Sequence, residues 1–77
     1  MRIRVYAPAF ADHSVLDERG FLELPPGARL RDLHRILKIP PLARPFVLVA
    51  VNYRVSGPGR LLEDGDTVSY FSMAGGG

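Results

Sequence analysis

The sequence predicts a small α+β domain in which one helix packs across a mixed sheet of four to five strands. Three observations lead to this fold class. Segments with period-two alternation lie near both ends of the chain, one segment with helical spacing lies between them, and an apolar run follows that segment. The 77 residues can enclose one hydrophobic core and no more.

The first two strands are predicted from alternation and from the turn residues that bound them. In residues 2–7, Ile3 and Val5 lie on one side of the strand and polar or aromatic side chains lie on the other. We expect this strand at an edge of the sheet. Residues 8–20 have the composition of a loop, and residues 21–24 form a short second strand before a Pro-Pro-Gly turn.

The helix is predicted from apolar residues at helical spacing. They are Leu30, Leu33, Ile36 and Leu37, and the basic residues Arg31, Arg35 and Lys38 fall on the opposite face. Pro40 and Pro41 end it after about two to three turns. Its start is weakly signalled, because Ala28 or Arg29 stands where Ser, Thr or Asp usually caps, an omission that costs about 1 kcal/mol. We expect His34 at the boundary of the core.

The last third of the chain supplies the remaining strands. Residues 46–51 are apolar at every position, which predicts a strand covered on both faces. A turn at 52–53, a short pairing segment and a tight Asp-Gly-Asp turn at 64–66 lead into an alternating strand at 67–71. The order strand, strand, helix, strand, short strand, strand is that of the β-grasp, or ubiquitin-like, fold.

The composition argues against functions that depend on cysteine or on a membrane span. Without cysteine, the chain has no disulfide, no thiolate metal ligand and no cysteine nucleophile. The longest apolar run is too short to cross a bilayer, and the first residues begin a strand pattern rather than a signal peptide. We therefore expect a soluble, cytoplasmic protein with no membrane partner.

Two other groups of polar residues are interpreted as solvated surface. Asp12, His13, Asp17 and Glu18 lie together in the first loop, but one histidine in a short polar loop is more typical of solvation than of a metal site. The basic residues are Arg29, Arg31, Arg35, Lys38 and Arg44. No aromatic stacking motif accompanies them, so a solvated face or an acidic protein partner is favoured over nucleic acid.

The last third also carries a family resemblance. Residues 49–52, then 62–68, then Phe71 and a terminal Gly-Gly resemble the MoaD/ThiS family of ubiquitin-like sulfur carriers. The closest resemblance is to the small subunit of molybdopterin synthase, because the first loop is long and Ala-Val-Asn is matched. The sequence departs from the family at Ser72-Met73, where Pro-Pro is common, and in its third terminal glycine.

The resemblance implies a carrier rather than an enzyme. An E1-like enzyme, using ATP and Mg²⁺, would adenylate the carboxylate of Gly77, and a sulfur donor would convert it to a thiocarboxylate. The large subunit of molybdopterin synthase would then accept the sulfur. The chain itself would bind no cofactor and no metal, and the sequence predicts a domain at 1–71 followed by a flexible tail at 72–77 containing Gly75 and Gly76.

A docking surface is predicted from the alternation of the first and last strands. If these strands are neighbours and their apolar residues face the helix, Tyr6 and Phe71 are exposed side by side. The resemblance adds Val55, which matches a partner-contacting family position, and Met73 is placed at the same surface. Coverage of Tyr6 and Phe71 by loop 8–20 is the alternative.

Three other functions remain open from the sequence. A thiamin-type carrier would use the same terminal chemistry. A protein modifier would join Gly77 to a lysine of its target through an isopeptide bond. In a non-covalent β-grasp binding module the tail would have no role, since a terminal glycine run without its context is more often a disordered end.

Overall fold

A computed structural model of the protein describes residues 1–72. Its elements in chain order are β1 (Arg2–Tyr6), a 3₁₀ turn (His13–Val15), β2 (Phe21–Glu23), α1 (Leu30–Ile36), a 3₁₀ turn (Arg44–Phe46), β3 (Val47–Val51), β4 (Arg54–Val55) and β5 (Thr67–Ser72). This order confirms the β-grasp prediction. Within residues 1–72 no helix is long and apolar enough to cross a membrane.

The five strands form one mixed sheet in the order β2-β1-β5-β3-β4. β1 and β5 run parallel as neighbours, and the other pairs are antiparallel. The expectation that β1 lies at an edge is wrong, because β2 pairs with its outer side and β2 and β4 are the edge strands. β5, from which the C-terminal residues continue, is the central strand.

The hydrophobic core lies between α1 and one face of the sheet. Its fully buried side chains are Ile3, Leu30, Leu33, Leu37, Val51 and Val68. They come from the predicted apolar stripe of the helix and from alternate positions of β1, β3 and β5. We call this side of the sheet the helix face and the other side the open face.

The N-terminal end of α1 is stabilised by backbone groups rather than by a polar cap residue. The amides of Leu30 and Arg31 donate to the carbonyls of Arg60 and Pro58, at 3.0 and 2.9 Å. Asp32 accepts a hydrogen bond from the Arg29 amide at 2.8 Å. The predicted cost of a missing cap is therefore offset by a loop distant in sequence, since it satisfies the amides that a helix start leaves free.

The other end of α1 has a Schellman motif with lysine at the usual glycine position. Lys38 has a φ of 56°, its amide donates to Arg35, and the Ile39 amide donates to His34. The helix ends before Pro40, as predicted. The expectation that residues 46–51 are covered on both faces is wrong at Leu48, which is 37% exposed, whereas Ala50 on the same face is buried. Of the two leucines that precede the aspartate turn, Leu62 is buried and Leu61 is exposed.

Candidate functional site

The root of the predicted tail is the C-terminal end of β5. Ser72 pairs with Val47 at one end of β3, and Val68 pairs with Val51 at the other. β5 pairs with β1 as far as Ser69 and with β3 as far as Ser72, so the residue from which the chain continues is held against β3 at the end of the central strand. Met73, Gly75, Gly76 and Gly77, which the sequence analysis assigned to the tail, lie outside the described residues.

The aspartate turn before β5 fixes the start of this strand. Gly65 has a φ of 87°, as the turn prediction requires. The buried carboxylate of Asp66 accepts hydrogen bonds from the Glu63 amide and the Asn52 side chain, at 2.8 and 2.9 Å. Asn52 in turn accepts from the Thr67 amide at 3.0 Å. These contacts join the β3–β4 turn to β5, so Asn52 and Asp66 have a structural role.

An apolar cluster lies on the open face near the tail root, and we call it the open-face patch. It consists of Tyr6, Leu48, Val55 and Phe71. Tyr6 and Phe71 are 48% and 52% exposed, so loop 8–20 does not cover them. Leu48 pairs with Phe71 across the β3–β5 ladder, which puts both side chains on the same face.

The floor of this patch is made by two small residues. Ser69 and Ala50 pair with each other, face the same side as Phe71 and are buried. Tyr6 pairs with Ser69 from the other side, and Val55 pairs with Ala50. The larger side chains therefore surround a shallow floor, which is a shape that can receive an apolar side chain of a partner.

Leu48 is the member of the patch that the sequence analysis missed. Apolar residues at every position of 46–51 indicated coverage on both faces, but Leu48 is 37% exposed. The pairing of Leu48 with Phe71 is set by strand order, which the composition of a single strand does not contain.

The N-terminal half of the open face is basic rather than apolar. The guanidinium of Arg2 lies 4.4 Å from the centre of the Phe21 ring, and that of Arg4 lies 5.1 Å from the Tyr6 ring. Both arginines are exposed. The open face thus combines an apolar end near the tail root with a cationic end, and its chemistry suits a partner with acidic residues beside an apolar anchor.

The helix face contains a buried polar pair. His34 on α1 and Tyr70 on β5 are both buried, and their Nδ1 and hydroxyl atoms are 2.7 Å apart. Burial, together with the nearby Arg44 guanidinium, lowers the pKa of His34, and burial raises the pKa of Tyr70. The expected boundary position of His34 is therefore wrong, because the residue lies over the sheet.

A pocket of about 250 Å³ adjoins this pair. Its lining includes His34, Tyr70 and Arg44 together with the apolar side chains of Ile39, Val47 and Val49. The pocket lies between the end of α1, the second 3₁₀ turn and β3. Its lining also includes Leu48 and Val55, which belong to the open-face patch.

The polar residues of the first loop form hydrogen bonds with nearby backbone groups. Asp12 accepts from the Ser14 amide at 3.0 Å, Asp17 accepts from the amides of Arg19 and Phe21 at 2.8 and 2.9 Å, and a His13 ring nitrogen lies 2.8 Å from the Pro8 carbonyl. Hydrogen bonding to Ser14 lowers the pKa of Asp12, and the Phe21 amide lowers that of Asp17. Among the described residues, no three potential metal-ligating side chains lie together.

The basic residues of the predicted helix face are exposed. Arg31, Arg35, Lys38 and Arg44 all reach solvent, and Lys38 is 3.6 Å from the Asp12 carboxylate. An exposed pair of this kind contributes little to stability. The preference for a solvated face or an acidic partner over nucleic acid stays a prediction.

A family model for the ThiS family matches residues 12–77, which include the last strand and the glycine tail. The chain belongs to the ThiS family. It is therefore a ubiquitin-like protein of the sulfur-carrier and modifier class, as the resemblance implied. No curated protein matches this ThiS-family chain.

The fold is also that of a solved structure. The crystal structure of SAMP1 from Haloferax volcanii superposes with a TM-score of 0.61 at 19% sequence identity. The alignment covers 100% of this chain and 98% of that protein. At this identity the likeness concerns the fold, and it agrees with the five-stranded sheet and single helix described above.

Proposed function

We propose that this ThiS-family chain is a sulfur carrier for molybdopterin biosynthesis and that residues 72–77 are its working tail. The carboxylate of Gly77 is the group that is activated and loaded with sulfur. The observation that carries the proposal is the family match, which extends through residue 77 and continues a strand fixed at the centre of the sheet.

The chemistry requires only a terminal carboxylate from this chain. In an E1-like enzyme with ATP and Mg²⁺, a Gly77 oxygen attacks the α-phosphorus, pyrophosphate leaves and an acyl adenylate forms. A sulfide-level donor attacks the acyl carbon through sulfur, AMP leaves with the electron pair of the broken C–O bond, and loss of the proton on sulfur leaves the thiocarboxylate. The carrier is consumed and regenerated as a co-substrate, and its partners supply the catalytic groups.

The composition of the tail suits delivery into another protein's active site. Residues 72–77 carry no charged side chain and end in three glycines, which present little bulk and accept a wide range of backbone angles. Six residues span up to about 20 Å when extended. A carrier needs a tail of this length, because its folded domain stays outside the partner's active site while the C-terminus reacts inside it.

The open-face patch is the proposed contact with the activating enzyme and with the large synthase subunit. Tyr6, Leu48, Val55 and Phe71 are exposed apolar side chains around a small-residue floor, and Phe71 is one residue before the tail. An enzyme that receives Gly77 must approach this end of β5. Met73 is proposed to extend the same contact beyond the sheet.

The molybdopterin branch is preferred over the thiamin branch on the sequence resemblance. The long loop 8–20 and the Ala50-Val51-Asn52 match support this choice. In the structure, Asn52 joins the β3–β4 turn to Asp66, so its role is compatible with either branch. The two branches are distinguished by measuring sulfur transfer to a purified pterin-converting enzyme and to a purified thiamin-forming enzyme.

Intact mass measurement tests the proposal. The chain is incubated with an E1-like enzyme, ATP, Mg²⁺ and a sulfur donor, and we expect the mass increase for one oxygen replaced by sulfur. Deletion of Gly76 and Gly77 should abolish it. Gly57→Ala is the control, because an added Cβ at Gly57 meets no atom within 4 Å.

Each other outcome contradicts part of the proposal. An unchanged terminus in the presence of the active enzyme contradicts carrier and modifier alike and leaves the binding-module interpretation. Branched conjugates with lysine-containing proteins support a modifier. Transfer of the loaded sulfur to a thiamin-forming enzyme and not to a pterin precursor replaces the molybdopterin assignment.

A further inference from the structure

The pocket beside His34 and Tyr70 contains polar groups that the proposed carrier chemistry does not use. Sulfur transfer needs the tail and a docking surface, and neither requires a buried histidine beside a tyrosine and an arginine. In a domain this small, buried polar pairs are costly unless they are satisfied.

The His34–Tyr70 pair directs one hydrogen-bond donor towards the pocket. Tyr70 has a single hydroxyl proton, and within residues 1–72 its hydrogen-bond partner is Nδ1 of His34 at 2.7 Å. When the hydroxyl donates to Nδ1, the neutral imidazole carries its proton on Nε2. His34 lines the pocket, and within residues 1–72 its hydrogen-bonded ring atom is Nδ1, so the Nε2 proton is the one that can donate to a ligand.

The charge at the pocket favours an anion. Arg44 lines it, its charge acts on both His34 and Tyr70, and within residues 1–72 it has no salt bridge. The lining contains no acidic residue.

A carboxylate is the anion that matches these groups. A guanidinium and an imidazole N–H present donors to two oxygens, and the apolar walls of Val47, Val49 and Ile39 suit a ligand whose remaining atoms are uncharged. A C-terminal glycine segment fits this description, because it has a carboxylate at its end and no other charged group.

A terminal carboxylate follows five residues after Ser72 in the same chain. Ser72 pairs with Val47, and Val47 and Tyr70 both line the pocket. Residues 73–77 follow Ser72, carry no charged side chain and end in a carboxylate. Five residues span up to about 17 Å, which allows the chain to turn back along the wall formed by Val47.

We propose that the pocket formed by His34, Arg44 and Tyr70 is a receptor for the Gly77 carboxylate of the same chain. The docked state is the resting form, and an activating enzyme competes with the pocket for the terminus. The inference rests on the proposed function only in taking Gly77 as the reactive end. Its test uses the chain without any partner, so either proposal can fail without the other.

Nuclear Overhauser contacts in the isotopically labelled full chain test the inference. We expect cross-peaks from the Gly76 and Gly77 methylene protons to the Tyr70 ring and the Val49 methyl groups. Arg44→Gln should remove them, and so should conversion of the terminal carboxylate to an amide. Arg19→Gln is the matched control, because Arg19 is also exposed and does not line the pocket.

Each remaining outcome overturns the proposal. Cross-peaks that disappear on dilution indicate the terminus of a second copy. Absence of cross-peaks, with His34 ring shifts moving when acetate is added, indicates a pocket for an external carboxylate such as an acidic side chain of a partner. Cross-peaks that persist in both the Arg44 variant and the terminal amide show that the carboxylate is not recognised. Absence of both cross-peaks and acetate-induced shifts shows that no carboxylate is recognised.

Discussion

Tyr70 and Phe71 are consecutive aromatic residues of β5 with opposite environments. Tyr70 is 8% exposed and hydrogen-bonded to His34 beneath the helix, whereas Phe71 is 52% exposed on the open face. Alternation along a strand produces this separation. One face of the end of β5 therefore holds the strand to the core, and the other is free for recognition beside the tail.

This separation has a functional consequence. A strand that presents a reactive tail must stay fixed while partners bind and release, and contacts on opposite faces let stability and affinity vary independently. Substitutions at neighbouring positions should then affect different measurements.

Tyr70→Ala should destabilise the domain by about 3 kcal/mol, because it removes a buried ring and leaves the His34 nitrogen without its partner. Urea unfolding followed by circular dichroism measures the change in the free energy of unfolding. Phe71→Ala is the matched comparison and should cost less than about 1 kcal/mol. Equal losses in the two variants would show that the faces are not energetically distinct.

Phe71→Ala should instead weaken binding to the E1-like activating enzyme by about 2 kcal/mol, or roughly 30-fold in Kd, as expected for an aromatic anchor. Titration calorimetry with the purified enzyme measures it. Tyr53→Ala is the control, because Tyr53 is an exposed aromatic residue at the opposite end of β3 from the tail root. An unchanged Kd for Phe71→Ala would remove the open-face patch from the proposed interface.

Sequence periodicity was sufficient for the parts of the structure that depend on local pattern. The alternation of β1 and β5 predicted that Tyr6 and Phe71 are exposed if the apolar residues of these strands face the helix, and both are exposed. The Asp-Gly-Asp turn was also predicted, since its glycine requires a positive φ. Each of these features is determined within a few residues.

Features that depend on pairing across the chain were not predicted. Two such features depend on strand order: the exposure of Leu48, and the position of β1 inside the sheet rather than at its edge. The start of α1 is satisfied by carbonyls of Pro58 and Arg60, about 30 residues away in sequence. His34 was placed at the boundary because helical spacing alone did not reveal Tyr70 opposite it.

The buried position of His34 predicts a pH-dependent stability. Burial lowers its folded-state pKa below the ordinary 6.5, so the unfolded chain binds the proton more readily. The free energy of unfolding is therefore highest above about pH 6.5 and decreases as the pH falls through the window below it, by up to about 1.4 kcal/mol per unit. Unfolding in urea at several pH values measures this slope.

His34→Gln is the test variant, since a glutamine amide does not titrate and its oxygen can accept from Tyr70. It should have a smaller slope than the wild type below pH 6.5. His13, Asp12 and Asp17 are present in both proteins, so their contributions cancel in the difference. Identical slopes would mean that His34 is not held in its neutral form by the core.

The smallest effect is expected at Leu48, the member of the open-face patch on β3. Leu48→Ala should lower the free energy of unfolding by less than about 1 kcal/mol, because the side chain is already 37% exposed. Its affinity for the activating enzyme should fall by about threefold, less than for Phe71→Ala, because Leu48 contributes a smaller contact beside an aromatic anchor. Leu61→Ala is the matched control, since Leu61 is 45% exposed and lies outside the patch. If the two leucine variants bind equally well, the docking surface is confined to β1 and β5, and the separation of faces is a property of the central strands alone.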